Sequence, residues 1–268
     1  MTWAFEELRS LIRRDWSTGQ ALAVEVAECL DAFDGDPAAL VMAARRILVQ
    51  RPAESTLWWT CTRVLCAADP GLEIRAVIDA LLGDSTAERV AEALPFPSDE
   101  VVAFVGWSDV LPALHVQRPD VELVVVRTAT ERSVASRVRE HGLDVRIVDP
   151  VDAGALGVTR VLLEPTVVSP EVTLVPSGVL DSTALIDAPQ WLVCPLGIVL
   201  PDALARSVHT QLERHDRAAD TSFDPTPPYE LLDLTRIDRA IGPQGVGPIS
   251  TVARQPQCPV AAELLRLA

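Results

Sequence analysis

Residues 101–149, VVAFVGWSDVLPALHVQRPDVELVVVRTATERSVASRVREHGLDVRIVD, constrain the fold of this chain more than any other stretch. Short, almost uniformly apolar segments at 101–105, 123–127 and 144–148 are separated by stretches of helical periodicity at 108–116 and 131–141. Strands that alternate with helices in this way pair in parallel, and their lack of polar residues predicts a sheet covered on both faces. In such sheets ligands collect beyond the carboxyl ends of the strands, so the Gly106-Trp107-Ser108 turn after the first strand is the place to seek a site. Further strands are expected at 160–163 and 191–193, and further helices at 177–186 and 201–215.

The first third has a different rhythm. Leu8, Leu11 and Ile12 recur at helical spacing, and Leu22, Val26, Cys29, Leu30 and Phe33 share one face of a second helix. Asp36 before Pro37 supplies an N-cap with proline at the first helical position, which opens a helix over 37–49. Helices at 56–67, 71–82 and 85–93 follow. The stretch LPFPSDE then reads as a linker, so the expected organisation is a helical domain over 1–95 and a Rossmann-like parallel-sheet α/β domain over 96–268.

Composition excludes several chemistries. The chain has 268 residues, a net charge of −15 and no lysine or asparagine, so all 23 basic residues are arginine. Schiff-base catalysis and the P-loop lysine are therefore absent, and any bound phosphate must rest on arginine, backbone N–H groups or hydroxyls. The acidic balance argues against a nucleic-acid partner. The longest uncharged stretch, 188–201, holds three prolines and is too short for a membrane span. With no secretory leader pattern in MTWAFEELRSLIRRDW, the expected location is the cytoplasm. Five cysteines without a CxxC pair read as buried thiols, and His209 and His215 as solvated residues on a polar helix. No metal or cofactor is expected.

Four places together resemble the superfamily that joins the alpha, beta and delta subunits of initiation factor 2B to methylthioribose-1-phosphate isomerase and ribose-1,5-bisphosphate isomerase. They are Arg51-Pro52 before a helix, Gly106-Trp107-Ser108, the segment LVPSG at 174–178, and FDPTPPYELLDL at 223–234. The resemblance implies a helical domain followed by a Rossmann-like domain, paired as a homodimer. It also implies what is missing. The isomerases carry a cysteine in the turn after the first strand, where this chain has Gly106 or Trp107. They carry an aspartate after the fourth strand, where it has Thr166, with Glu164 two residues earlier. Their Asn-Lys pair is replaced by Val175-Pro176.

Moving a proton between adjacent carbons needs both an acid and a base, and one carboxylate fills only one of those roles. The expected function is thus that of a noncatalytic binding or regulatory protein whose crevice retains affinity for a sugar phosphate or nucleotide phosphate. The alternative is an aldose–ketose isomerase of a phosphorylated sugar, with Glu164 as a displaced base and Ser108 or a water as relay. The expected ligand-binding residues are Arg51, Gly106, Trp107, Ser108, Glu164, Ser177 and Gly178. Each also has a plain structural reading. Arg51 can cap the preceding helix, the serines can be N-caps, Trp107 can pack, and Glu164 can be a solvated loop carboxylate. Thr226, Pro227, Pro228 and Glu230 are expected to shape the turn into the last strand and to support the dimer contact, together with the uncharged run at 241–249.

Overall fold

The computed structural model describes residues 2–13, 19–94, 100–128, 134–219 and 229–267. Six helices come first: α1 (Thr2–Ile12), α2 (Gly19–Asp31), α3 (Pro37–Gln50), α4 (Ser55–Cys66), α5 (Pro70–Leu82) and α6 (Thr86–Ala93). The caps explain their starts. The Asp36 side chain accepts the Ala39 N–H at 3.0 Å with Pro37 in the first turn, and Asp69 accepts the Leu72 N–H at 2.9 Å ahead of Pro70. The expected face of α2 is buried through Leu22, Val26 and Leu30, and Cys29 is half-buried.

From β1 (Val101–Val105) the chain alternates: α7 (Leu111–Gln117), β2 (Glu122–Val126), α8 (Val134–Glu140), β3 (Arg146–Val148), α9 (Pro150–Ala153) and β4 (Arg160–Leu163). Then follow β5 (Leu174–Pro176), α10 (Val179–Ala184), β6 (Gln190–Val193), α11 (Asp202–Ala219), β7 (Tyr229–Leu231), β8 (Arg239–Gly242), β9 (Gly245–Gly247) and α12 (Ile249–Val252). Among the described residues no strand precedes β1. The main sheet has the order β3-β2-β1-β4-β6-β8-β9, parallel except for the β8–β9 hairpin at one edge. The chain runs outward through β1, β2 and β3 and then returns to place β4 on the other side of β1. The topological switch point therefore lies between β1 and β4.

The strand period of two sorts the apolar residues onto two faces. Val102 and Phe104 of β1, Leu123 and Val125 of β2, and Leu162 of β4 pack with Val90 of α6, Leu111 and Leu114 of α7, and Val134 and Val138 of α8. Ala103, Val105, Val124, Val126, Val161 and Leu163 pack on the other face with Val179 of α10 and Ile249 of α12. A third core fills the helical third and includes Leu204, Ala205, Val208 and Leu212 of α11, and Leu264 and Leu267 near the C-terminus. Chain order and packing therefore cross. α6 covers the sheet, while α11 completes the helical core. Trp59 of α4 fastens the C-terminal segment by donating its indole N–H to the Gln257 carbonyl at 2.8 Å.

Several expectations are refined here. Four strands were not foreseen as separate elements. β5 pairs only with β7, antiparallel, and β8 and β9 extend the main sheet. The uncharged run at 241–249 is buried within this chain at Ile241, Gly242 and Ile249, while Gln244, Val246 and Pro248 between them are exposed. Cys66 is exposed rather than buried, and Cys29 and Cys258 are half-buried. The LPFPSDE linker falls largely outside the described residues, as do Thr226, Pro227 and Pro228.

Candidate functional site

The β1 strand ends on Gly106, whose φ of 79° lies in the left-handed region open to glycine at little cost. Its N–H donates to the Val126 carbonyl of the neighbouring strand at 2.9 Å. The chain thereby turns across the switch point and presents Trp107, Ser108 and Asp109 to the end of β4, where Glu164 stands. One oxygen of Glu164 accepts both the Ser108 hydroxyl at 2.6 Å and the Asp109 N–H at 2.9 Å. Asp109 in turn accepts the Trp107 indole N–H at 2.8 Å. The other indole surfaces are occupied as well: the ring stacks on His141 at 5.1 Å, and the Arg137 guanidinium lies 5.6 Å from its centroid.

Gly106, Trp107, Asp109, Arg137 and Glu164 line a crevice of about 370 Å³, with the buried Ser108 behind Glu164, closed on its far side by the helical third through Gly19, Glu54 and Ser55. The Gly19 N–H donates to Glu54 at 3.2 Å, and the Ser55 hydroxyl donates to the Thr166 carbonyl. Pro176 and Tyr229 of the small β5–β7 sheet complete the wall. Three carboxylates thus converge: Glu54 from the helical third, Asp109 from the first turn and Glu164 from the end of β4.

The acidity of Glu164 and Glu54 is shifted, first by burial and then by their neighbours. Burial, reinforced by the Asp109 charge, pushes the Glu164 carboxyl up to about 8 despite the two hydrogen bonds that stabilise its anion. Burial also raises Glu54 above the ordinary carboxylate range, against the opposing effects of the Gly19 N–H, Arg51 and Arg137. At neutral pH Glu164 is largely protonated. Since one oxygen already accepts two hydrogen bonds, the proton resides on the other. Glu164 is therefore a largely enclosed carboxyl that accepts two hydrogen bonds, not the solvated loop carboxylate of the plain reading.

Four of the expected site residues meet here: Gly106, Trp107, Ser108 and Glu164. Three others do not line the crevice. Arg51 is the C-cap of α3, its N–H bonded to the Ile47 carbonyl, and its charge acts on Glu54. Ser177 is buried, and Gly178 is the N-cap of α10, with six residues too short to offer a strong dipole. A donor of that first turn is already satisfied, because the Leu180 N–H bonds to Glu230 at 2.7 Å. Glu230 thus ties β7 to α10. Ser108 is not an N-cap either, since α7 begins three residues later and its hydroxyl goes to Glu164.

Sequence reasoning missed Glu54, Asp109 and Arg137. Glu54 lies three residues past Arg51 and Asp109 directly after Ser108, so proximity to the recognised motifs was the available signal. Nothing local distinguishes Arg137 from Arg139, the other arginine of α8. Among the described residues no group of three His, Cys, Asp or Glu side chains has the geometry to hold a metal ion. Burial raises the Cys61, Cys194 and Cys258 thiols, which leaves none of them poised as a nucleophile.

The structure defines a class: a doubly wound parallel sheet with a helical N-terminal third and a polar crevice at its switch point. That is the fold of the initiation factor 2B alpha, beta and delta type. The initiation factor eIF-2B of Pyrococcus horikoshii superposes with a TM-score of 0.69 over 95% of this chain and 100% of its own, at 9% identity. A chain of the tetrameric beta2-delta2 eIF2B complex from C. thermophilum gives 0.64 over 94% and 92%, at 14% identity. The delta subunit from A. fulgidus gives 0.57 over 91% and 87%, at 16% identity. No protein-family model and no curated protein sequence matches the chain.

Proposed function

We propose that this chain is a noncatalytic binding or regulatory protein of the initiation factor 2B kind that has lost the sugar-phosphate chemistry of its isomerase relatives. The observation that carries this reading is the convergence of Glu54, Asp109 and Glu164 on the crevice, against which Arg137 is the cation among the described lining residues. A phosphate dianion placed there would raise the cost of every ionised carboxylate around it, and the arginine expected to receive it faces Glu54 instead. The wall suits a neutral or cationic occupant. Homodimerisation is part of the proposal, supported by the oligomeric state named for the beta2-delta2 neighbour.

One observation favours the isomerase reading. Glu164, held at about 8 and bonded to Ser108, has the acidity and partner of a general acid. The other two carboxylates of the crevice are engaged within its wall, Glu54 by the Gly19 N–H and Asp109 by the Trp107 indole N–H, so neither is set as the base that moving a proton between carbons needs. Incubation with ribose 1,5-bisphosphate and methylthioribose 1-phosphate, with calorimetric titration of both compounds and of a nucleoside monophosphate, separates the readings. No turnover and no heat of binding are expected. Isomerisation at an ordinary enzymatic rate that Glu164→Gln abolishes would replace this proposal with the isomerase. For the dimer, light scattering should give about twice the 29.0 kDa chain mass, and a 29.0 kDa particle would remove that part.

A further inference from the structure

A second depression shares no lining residue with the crevice. It is a groove of about 740 Å³ between α1 and α3, floored by Phe5, Leu8, Met42 and Val49. Its rim carries Arg9 and Arg13 from the end of α1 and Arg45 and Arg46 from α3, with Glu6 as the opposing charge. In a chain of net charge −15 this concentration of arginine is unusual. Among the described residues none of the four is paired with a carboxylate. Arg46 instead lies over the Phe5 ring at 4.8 Å, and Arg45 donates to the Arg266 carbonyl at 2.6 Å. Arg266 lines a second groove with Arg206 and Arg214 of α11, so the basic surface continues beyond the first groove. Within that extension Arg206 pairs with Glu171, and Arg214 donates to the Leu267 carbonyl at 2.5 Å.

We infer that the α1–α3 groove is a docking site for an acidic amphipathic helix of a partner protein. Apolar floor residues on α3 fall at Met42 and Val49, a helical repeat of seven, with the arginines between them and beside them. A helix laid along the groove would set apolar side chains at i, i+3, i+4 and i+7 onto the floor and acidic side chains against both rims. Met42 is 50% exposed at the centre, where a soft, unbranched side chain adapts to whichever apolar residue meets it. Arginine forms planar, bidentate pairs with carboxylates, and the net charge of −15 disfavours the same partner over most of the remaining surface. The 14 residues of α3 span about 21 Å, room for a partner helix of about four turns. A single-stranded RNA would use the arginines and leave the aliphatic floor unused.

The test uses the full chain and a fluorescent peptide of about 18 residues, with leucines at i, i+3, i+4 and i+7 and glutamates elsewhere, read by anisotropy at two salt concentrations. Binding is expected, weakening with salt. The variant R9E/R46E should weaken it about tenfold or more, and Met42→Glu about as much, with melting temperatures unchanged because these side chains are exposed. A scrambled peptide of the same composition should bind about tenfold less tightly. Arg46→Gln serves as the milder variant if the double reversal disturbs folding. Failure of the peptide to bind would overturn the inference. So would scrambled and patterned peptides binding alike, or a single-stranded RNA of similar charge binding with equal or greater affinity.

Discussion

Replacing Glu164 with glutamine should make the protein more stable in alkaline solution and leave it unaltered in mild acid. Glu164 titrates near 4.5 in the unfolded chain and at about 8 when folded. Between those values the native state holds a proton that the unfolded state has released, so stability falls as pH rises from about 4.5 to 8 and then levels off. The full difference corresponds to a ceiling of about 5 kcal/mol at 1.36 kcal/mol per unit. Glu164 keeps some contact with solvent at the crevice, so about 2–3 kcal/mol is the expected cost of holding the anion in the fold. Glutamine is isosteric with the protonated acid. Its carbonyl oxygen accepts the Ser108 hydroxyl and the Asp109 N–H, and its amide takes the place of the protonated oxygen. Thermal unfolding at pH 4 and pH 9, below and above both values, provides the measurement. For a chain of this size about 2–4 °C accompanies each kcal/mol, so Glu164→Gln should melt about 5–10 °C above the parent at alkaline pH and within about 2 °C of it in acid. A difference that does not change with pH would show that the crevice does not disfavour the anion.

Asp84 accepts from Gln20, from the Thr86 N–H and hydroxyl, and from the Leu196 N–H at 2.8 Å, linking α2, α6 and the loop after β6. Asp84→Ala should cost about 2–4 kcal/mol in denaturant unfolding, and a loss under about 0.5 would show that water substitutes for it. Gly197→Ala should destabilise by about 2 kcal/mol or more, because φ is +92° and the added methyl would stand 3.0 Å from the Thr56 backbone; an unchanged melting temperature would contradict that clash. Glu230→Ala removes the acceptor for the first turn of α10 and should cost about 1 kcal/mol, measured by the urea midpoint. Leu192→Ala, buried on the sheet face shared with α10, should cost about 2–5 kcal/mol in the same assay.

The sequence by itself determined the helical first third, the alternation of strands and helices that follows, and a turn beside the candidate crevice. Asp36-Pro37 marked the start of α3, apolar runs of strand length marked β1, β2 and β4, and the turn at Gly106 marked the crevice, because each signal is local: a cap, a period or a backbone preference. It also determined, through the absence of lysine, which chemistries are closed. The roles of the side chains were decided only by the fold. Arg51 read as a phosphate ligand with equal right, yet what it faces depends on where α4 carries Glu54. Ser177 and Gly178 read as anion donors, yet Glu230, some fifty residues later in sequence, had already taken that helix end. Glu164 read both as a ligand-binding residue and as a solvated loop carboxylate, whereas its acidity is set first by burial in the crevice and then by Asp109 and Ser108. Likewise α6 and α11 exchanged partners between the two halves of the chain, since burial of an apolar stripe is satisfied by any complementary surface and not by the nearest one in sequence. Charge, burial and occupancy are properties of what surrounds a group, and in this chain those surroundings come from segments far apart in sequence.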